Sequence, residues 1–288
     1  MKASSLFFPV FLTLFLMITG CKNETTNTTY STDGVQIAFE SLGKGNPAIV
    51  FIHGWTNPRT IWDDQMKHFS SKYQSVAVDL AGSGESGNNR TIWTMQAFSN
   101  DVTAVVNKLK LNDVVLVGFS MGAAVAIETA NQIPDKVKGV IIVDNIQNPE
   151  MKIPPQMVPV LDSIMFDLLD DMTNEKLVKM GFYKNNQEAI YARVMNLYPA
   201  SSSRIGWMES FHENIKWMNN DCVNALKNLQ VSLHAINSDI HPTEIEIIRK
   251  YVPGFQAKII KDVGHLVFWE KPEEFQKLVE ESIVEFNN

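Results

Sequence analysis

Cysteine is nearly missing from this chain: Cys21 and Cys222 are the two among 288 residues. No disulfide framework is on offer, so stability has to come from a packed core. Long basic runs are missing as well, and the formal net charge is −7, which argues against nucleic acid as a partner. There is no internal repeat and no Cys/His cluster with metal-ligand spacing. A solenoid and a metal centre are therefore not expected. The longest apolar run, Leu6–Ile18, falls short of the roughly 20 residues of a comfortable membrane span.

What is present suits an α/β domain carrying an insertion. Apolar residues make up 45% of the chain, ordinary for a globular protein and enough for a sizeable core. Lys2 followed by Leu6–Ile18 has the proportions of a secretory signal, placing a signal segment at 1–20. Its end, Met17-Ile18-Thr19-Gly20-Cys21, resembles the lipobox of bacterial lipoproteins. That resemblance implies cleavage before Cys21, fatty acylation of the cysteine (palmitate or similar) and a place on a membrane of the bacterial cell envelope. Lys22–Asp33 is rich in Asn and Thr, so 21–33 reads as a flexible tether.

Beyond the tether, buried-strand patterns alternate with helical ones. Val35–Glu40 alternates as a half-exposed strand. Ala48–Ile52, Ser75–Leu80, Asp113–Val117 and Gly139–Asp144 are continuous apolar runs, as in strands covered on both faces. Between them Thr60–Phe69, Thr94–Leu109 and Ala123–Asn131 have helical spacing. This rhythm predicts an α/β fold, a mostly parallel sheet with helices on both faces. From Asn145 to Asn228 it stops. Pro149, Pro154, Pro155 and Pro159 open a stretch of helical patterns rich in Met and aromatic residues, among them Ser203–Glu213 and Asn214–Leu226 as separate helices. Segment 145–228 is thus expected as a helical lid, inserted into a core formed by 34–144 and 229–288. Strand patterns resume at Val231–Asn237 and Ala257–Ile260, and Pro272–Phe286 is an amphipathic closing helix.

Between a buried strand and an Ala-rich helix stands Gly118-Phe119-Ser120-Met121-Gly122, a G-x-S-x-G pattern. Such a turn exposes a serine hydroxyl above the sheet, and the free N–H groups of the following helix point at the reacting oxygen. A serine needs a histidine base, and the histidine needs a carboxylate. Ser120, Asp239 and His265 each lie just past an expected strand, where a parallel sheet gathers its ligands. Asp239 is the expected acid, with Asp144 as the alternative.

The motifs together resemble the lidded α/β-hydrolase family. They are His53-Gly54-Trp55, the loop Asp79–Ser86, the elbow at Ser120, Pro134-Asp135-Lys136-Val137, and Gly264-His265-Leu266 with Glu270-Lys271-Pro272. The resemblance implies Ser120 as nucleophile, His265 as general base and acid, and an oxyanion hole from the backbone N–H groups of Trp55 and Met121. His53 is expected to fix that loop by hydrogen bonds. Phe119, Trp207 and Phe211 are the candidate pocket residues. No metal or organic cofactor is required. Relatives that open epoxides carry Asp at the elbow, so Ser120 points to acyl transfer on a small-molecule ester or related acyl substrate. A carbon–carbon hydrolase, a haloperoxidase-like relative and a low-turnover binding protein are the other readings.

Overall fold

The computed structural model describes residues 27–197 and 204–287. The described strands are β1 (Asn27–Tyr30), β2 (Gln36–Leu42), β3 (Ala48–Ile52), β4 (Gln74–Val78), β5 (Val114–Phe119), β6 (Val137–Val143), β7 (Ser232–Ser238) and β8 (Gln256–Ile260). They form one eight-stranded sheet in the order β1-β2-β4-β3-β5-β6-β7-β8. β2 runs antiparallel to both its neighbours, and every other pairing is parallel. This is the mostly parallel sheet expected from the sequence.

The apolar runs form central strands because both sides of each are needed. Side chains alternate across a strand, and here they sort into two cores. Val50, Ile52, Val76, Leu116 and Ile142 face one side; Ile49, Phe51, Ala77, Val117 and Ile141 face the other. The first core is closed by α2 (Met95–Lys108) and α3 (Met121–Gln132), which contribute Phe98, Val102, Val125 and Ile127. Thr94 caps α2 by accepting the Ala97 N–H at 3.2 Å, worth about 1 kcal/mol. The second core is closed by α1 (Asp63–Phe69) and by α11 (Pro272–Phe286), through Met66, Phe69, Phe275, Val279 and Ile283. Each such buried side chain contributes about 1.5–3 kcal/mol of hydrophobic burial.

Among the described residues the stretch between β6 and β7 is helical, as expected: α4 (Val158–Asp170), α5 (Asn174–Lys179), α6 (Gln187–Leu197), α7 (Arg204–Asn220) and α8 (Cys222–Asn228), with α9 (Ile245–Arg249) following β7. Two details differ. One helix spans 204–220 where the pattern suggested a break near residue 213. The last helix, α8, does not belong to a lid: Ala225 and Leu226 sit in the core beneath α3, and Asn131 Nδ2 donates to the Ala225 carbonyl at 3.0 Å.

The expected tether also needs correction where it is described. Residues 27–30 form an edge strand, and Asp33 pairs with Arg90 at 2.7 Å. Arg90 is itself buried against Asp101. A polar strand can join a sheet edge because the ladder is made of backbone groups, which side-chain composition does not reveal. The signal segment at 1–20 and Cys21 lie outside the described residues.

Candidate active site

The site grows from a strained turn. Ser120 links β5 to α3 at φ 51° and ψ −123°, a conformation that costs a non-glycine residue about 1–3 kcal/mol and persists only when the surroundings enforce it. Here they do. The Ser120 N–H donates to the Val143 carbonyl at 3.0 Å, and the Ser120 carbonyl accepts from Ala123 N at 2.9 Å. Gly118 and Gly122 let the two arms of the turn close: a Cβ on Gly118 would fall 2.2 Å from the Gly122 carbonyl oxygen, and one on Gly122 2.6 Å from that of Ile52. Met121 then begins α3, and a first-turn N–H has no intrahelical partner.

His265 follows β8 and lines the same cavity as Ser120. Its ring is tilted against Phe119 with centroids 4.6 Å apart, and the Phe182 ring stands perpendicular to it with centroids 6.0 Å apart. Its Nδ1 donates to Asp144 Oδ2 at 2.5 Å. Asp144 follows β6, with its side chain 5% exposed, and its Oδ1 accepts the Ser238 N–H at 2.8 Å. Burial alone raises the Asp144 carboxyl, but the His265 hydrogen bond and charge, with the Ser238 N–H, outweigh it. The group ends below the usual carboxylate range.

The expectation that Asp239 is the acid is therefore corrected. Asp239 stands one residue beyond the Ser238 N–H that steadies Asp144. It is on the outer rim, 38% exposed, and accepts from Asp262 N at 3.0 Å and Lys184 Nζ at 3.3 Å. The physical reason is the turn after β6. Asp144 adopts φ 47°, and its N–H donates to the Ile236 carbonyl of β7 at 3.1 Å. That holds its carboxylate beneath the insertion, within reach of His265.

The loop after β3 supplies the opposite wall. His53 is fully buried; its Nδ1 donates to the Gly54 carbonyl at 2.8 Å and its Nε2 accepts the Leu80 N–H at 3.0 Å. Burial lowers its pKa, so it remains the neutral, hydrogen-bonding post expected from the sequence. Trp55, Thr56 and Asn57 line the cavity, with Thr56 at φ 63°. Arg59, which lies outside the sequence motifs, braces this loop: its N–H and guanidinium both reach the buried Asp79, and Nη2 meets Glu85 at 2.5 Å. An arginine five residues after His53-Gly54 was the available signal.

The cavity measures about 230 Å³. Of the three candidate pocket residues Phe119 and Phe211 line it and Trp207 does not; Trp55 and Met121 line it as well. Trp207 is buried in α7, and its backbone carbonyl accepts the Trp55 indole N–H at 2.6 Å. It holds a wall rather than forming one. The insertion adds Met165, Leu168, Met172 and Val194, and Trp269 comes from the core. Among the described residues the other lining side chains carry no formal charge, and Asn57, Thr56 and Asn214 are the polar ones beside Ser120 and His265. Apolar walls of this kind lower the local dielectric and strengthen any hydrogen bond made inside them.

Comparison with known proteins adds to this geometry. Residues 47–200 match the family described as alpha/beta hydrolase fold. The chain is 33% identical over 110 residues to an uncharacterised protein of Mycobacterium tuberculosis, covering 38% of this chain. It spans 32% of the length of that relative. It is 26% identical over 262 residues to a pimeloyl-[acyl-carrier protein] methyl ester esterase of Wigglesworthia glossinidia brevipalpis, covering 85% of this chain and 97% of the relative. The solved structure of an esterase from Exiguobacterium antarcticum superposes with a TM-score of 0.76 at 21% identity, covering 90% of this chain and 99% of that one. At that identity the likeness is one of fold.

Proposed function

Because the chain belongs to the α/β-hydrolase fold family, we propose that it is a serine hydrolase that cleaves a small or medium carboxylic ester through an acyl-enzyme. The observation that carries this reading is the 2.5 Å bond from His265 Nδ1 to Asp144, in a cavity that Ser120 also lines. Asp144 fixes the tautomer in which Nε2 is free to take a proton. Ser120 Oγ attacks the acyl carbon while His265 accepts the hydroxyl proton. The oxyanion that forms is received by the N–H groups of Trp55 and Met121. A single preorganised donor of this kind contributes about 3–4 kcal/mol to the barrier. His265 then protonates the departing alkoxide. Water attacks the acyl-Ser120 ester by the reverse proton path and releases the acid.

The lining favours an uncharged acyl or alkyl group. A carboxylate or ammonium on the substrate would lose hydration among Met165, Leu168 and Phe211 without gaining an ionic partner among the described lining residues. The esterase name of the Wigglesworthia relative agrees with an ester substrate. We further propose that the protein is held at the cell envelope by acyl chains on Cys21, on the strength of the Ile18-Thr19-Gly20-Cys21 sequence. Two or more chains give firm anchoring where one is marginal.

The test is direct. A fluorophosphonate probe should label the wild type and not Ser120→Ala, and p-nitrophenyl esters should turn over steadily in the wild type alone. Equal labelling of both proteins would remove Ser120 from the reaction. The anchor is tested separately by fractionating cells that express wild type or Cys21→Ser. Finding wild type free in the soluble fraction, with Cys21 unmodified by mass spectrometry, would remove the anchor and leave the hydrolase reading intact.

A further inference from the structure

Glu270 closes the short helix α10 (Val267–Glu270) five residues after His265 and is 7% exposed. A buried carboxylate is costly unless its lone pairs are answered, and here amide N–H groups answer them. Oε1 accepts from Gly264 N, the residue before His265. Oε2 accepts from Lys184 N at 2.9 Å, Asn185 N at 2.6 Å and Asn185 Nδ2 at 3.1 Å. One carboxylate thus holds the histidine loop with one oxygen and a turn of the insertion with the other.

That turn lies flat against the histidine loop. The His265 N–H donates to the Gly181 carbonyl at 2.8 Å, and the Leu266 N–H to that of Phe182 at 2.9 Å. Asn185 Nδ2 also donates to the Asp262 carbonyl at 2.7 Å. The approach is so close that a Cβ on Gly264 would fall 2.4 Å from the Tyr183 Cα. The Phe182 ring, edge-on to His265, is carried by the same turn and lines the cavity.

We propose that Glu270 is a positioning residue: it clamps the 181–185 turn to the His265 loop and so holds the imidazole in register with Asp144. On this account the part of the insertion behind His265 is a fixed wall of the site, and any lid movement is confined to other parts of the insertion. The inference rests on the hydrolase reading for its kinetic readout and on geometry alone for its spectroscopic one.

Glu270→Gln is the informative change. It preserves size and turns one acceptor into an NH₂ group, so either the Gly264 N–H or the Lys184–Asn185 donors must face a donor. In the full chain, kcat for a short soluble p-nitrophenyl ester should fall about tenfold or more, because small misplacements of a reacting group cost factors of that order. KM should stay within about twofold, since the carboxylate does not line the cavity. The low-field proton resonance of His265 Nδ1–H, assigned by its loss in His265→Gln, should shift or broaden while the thermal transition remains cooperative. Wild-type kcat with an unmoved resonance would overturn the proposal. So would a raised KM at unchanged kcat, which would make Glu270 a shaper of the pocket. If Glu270→Gln does not fold, Asn185→Ala removes one donor from the clamp and should lower kcat a few-fold with a smaller resonance shift; no change in either overturns the proposal. If the wild type itself turns over no ester, the hydrolase reading fails, and the resonance still decides the clamp.

Discussion

Two aspartates stand just past neighbouring parallel strands, Asp144 after β6 and Asp239 at the end of β7, and they lead different lives. Asp144 is 5% exposed, bonded to His265 and steadied by the Ser238 N–H. Asp239, the residue after Ser238, is 38% exposed and ties Lys184 of the insertion to the backbone of Asp262. Both carboxyls lie below the ordinary range, for different reasons. At Asp144 the His265 bond and charge outweigh a large burial penalty. At Asp239 the Asp262 N–H is the largest influence and, with Lys184, outweighs a smaller burial penalty. The difference teaches that a lowered carboxyl at a strand end is not a functional mark; depth and partner are.

The comparison can be broken most forcibly at the buried member. Asp144→Asn should cut kcat/KM for a p-nitrophenyl ester about ten-thousandfold, since the histidine loses the partner that fixes its tautomer. Steady-state kinetics on a variant with an unchanged circular dichroism spectrum is the measurement. A greater loss from Asp239→Asn would restore Asp239 as the acid.

The pH dependence of stability should sharpen the contrast. The folded state holds the Asp144 carboxyl below its unfolded value of about 4. Its contribution is therefore present above that value and is lost as pH falls through the lower folded one. Urea unfolding of wild type and Asp144→Asn at pH 7, 4 and 3 should give a gap of about 1–3 kcal/mol at pH 7 that narrows at pH 3. A gap that widens toward acid pH would reverse the assigned sign.

The smallest effect belongs to the rim. Asp239→Asn should leave kcat/KM within about threefold and shift Tm by less than about 2 °C, because exposed ion pairs contribute little. Lys184→Ala, which breaks the same pair from the other side, should do no more. A large loss of activity from Lys184→Ala would show that the rim pair, and not only the Glu270 clamp, holds the 181–185 turn.

Much of the sheet was legible because its signal is local. Ala48–Ile52 is a strand with the bounds that its apolar run suggested, and Pro272–Phe286 is the closing helix. Ser120 was legible for a similar reason: Gly118 and Gly122 betray a turn too tight for side chains. Edge strand β1 was not, since Asn27-Thr28-Thr29-Tyr30 has no apolar face to announce it, and its pairing with β2 is made by the backbone. The aromatic character of Trp207 suits a pocket as well as a wall. Only the packing of α7 on Trp55 shows which way it serves.

The order of strands and helices, the strained serine turn and the histidine loop after the last strand were determined by the sequence itself. Apolar periodicity and backbone sterics act over a few residues and can be read over a few residues. The identity of the acid, the walls of the cavity and the clamp at Glu270 were decided by the tertiary structure. His265 and Asp144 are 121 residues apart in sequence, and Glu270 and Lys184 are 86 apart. Whether such groups meet depends on which strand ends are neighbours and how deeply each turn sinks its side chain. Those are properties of the assembled sheet and of the insertion packed across it.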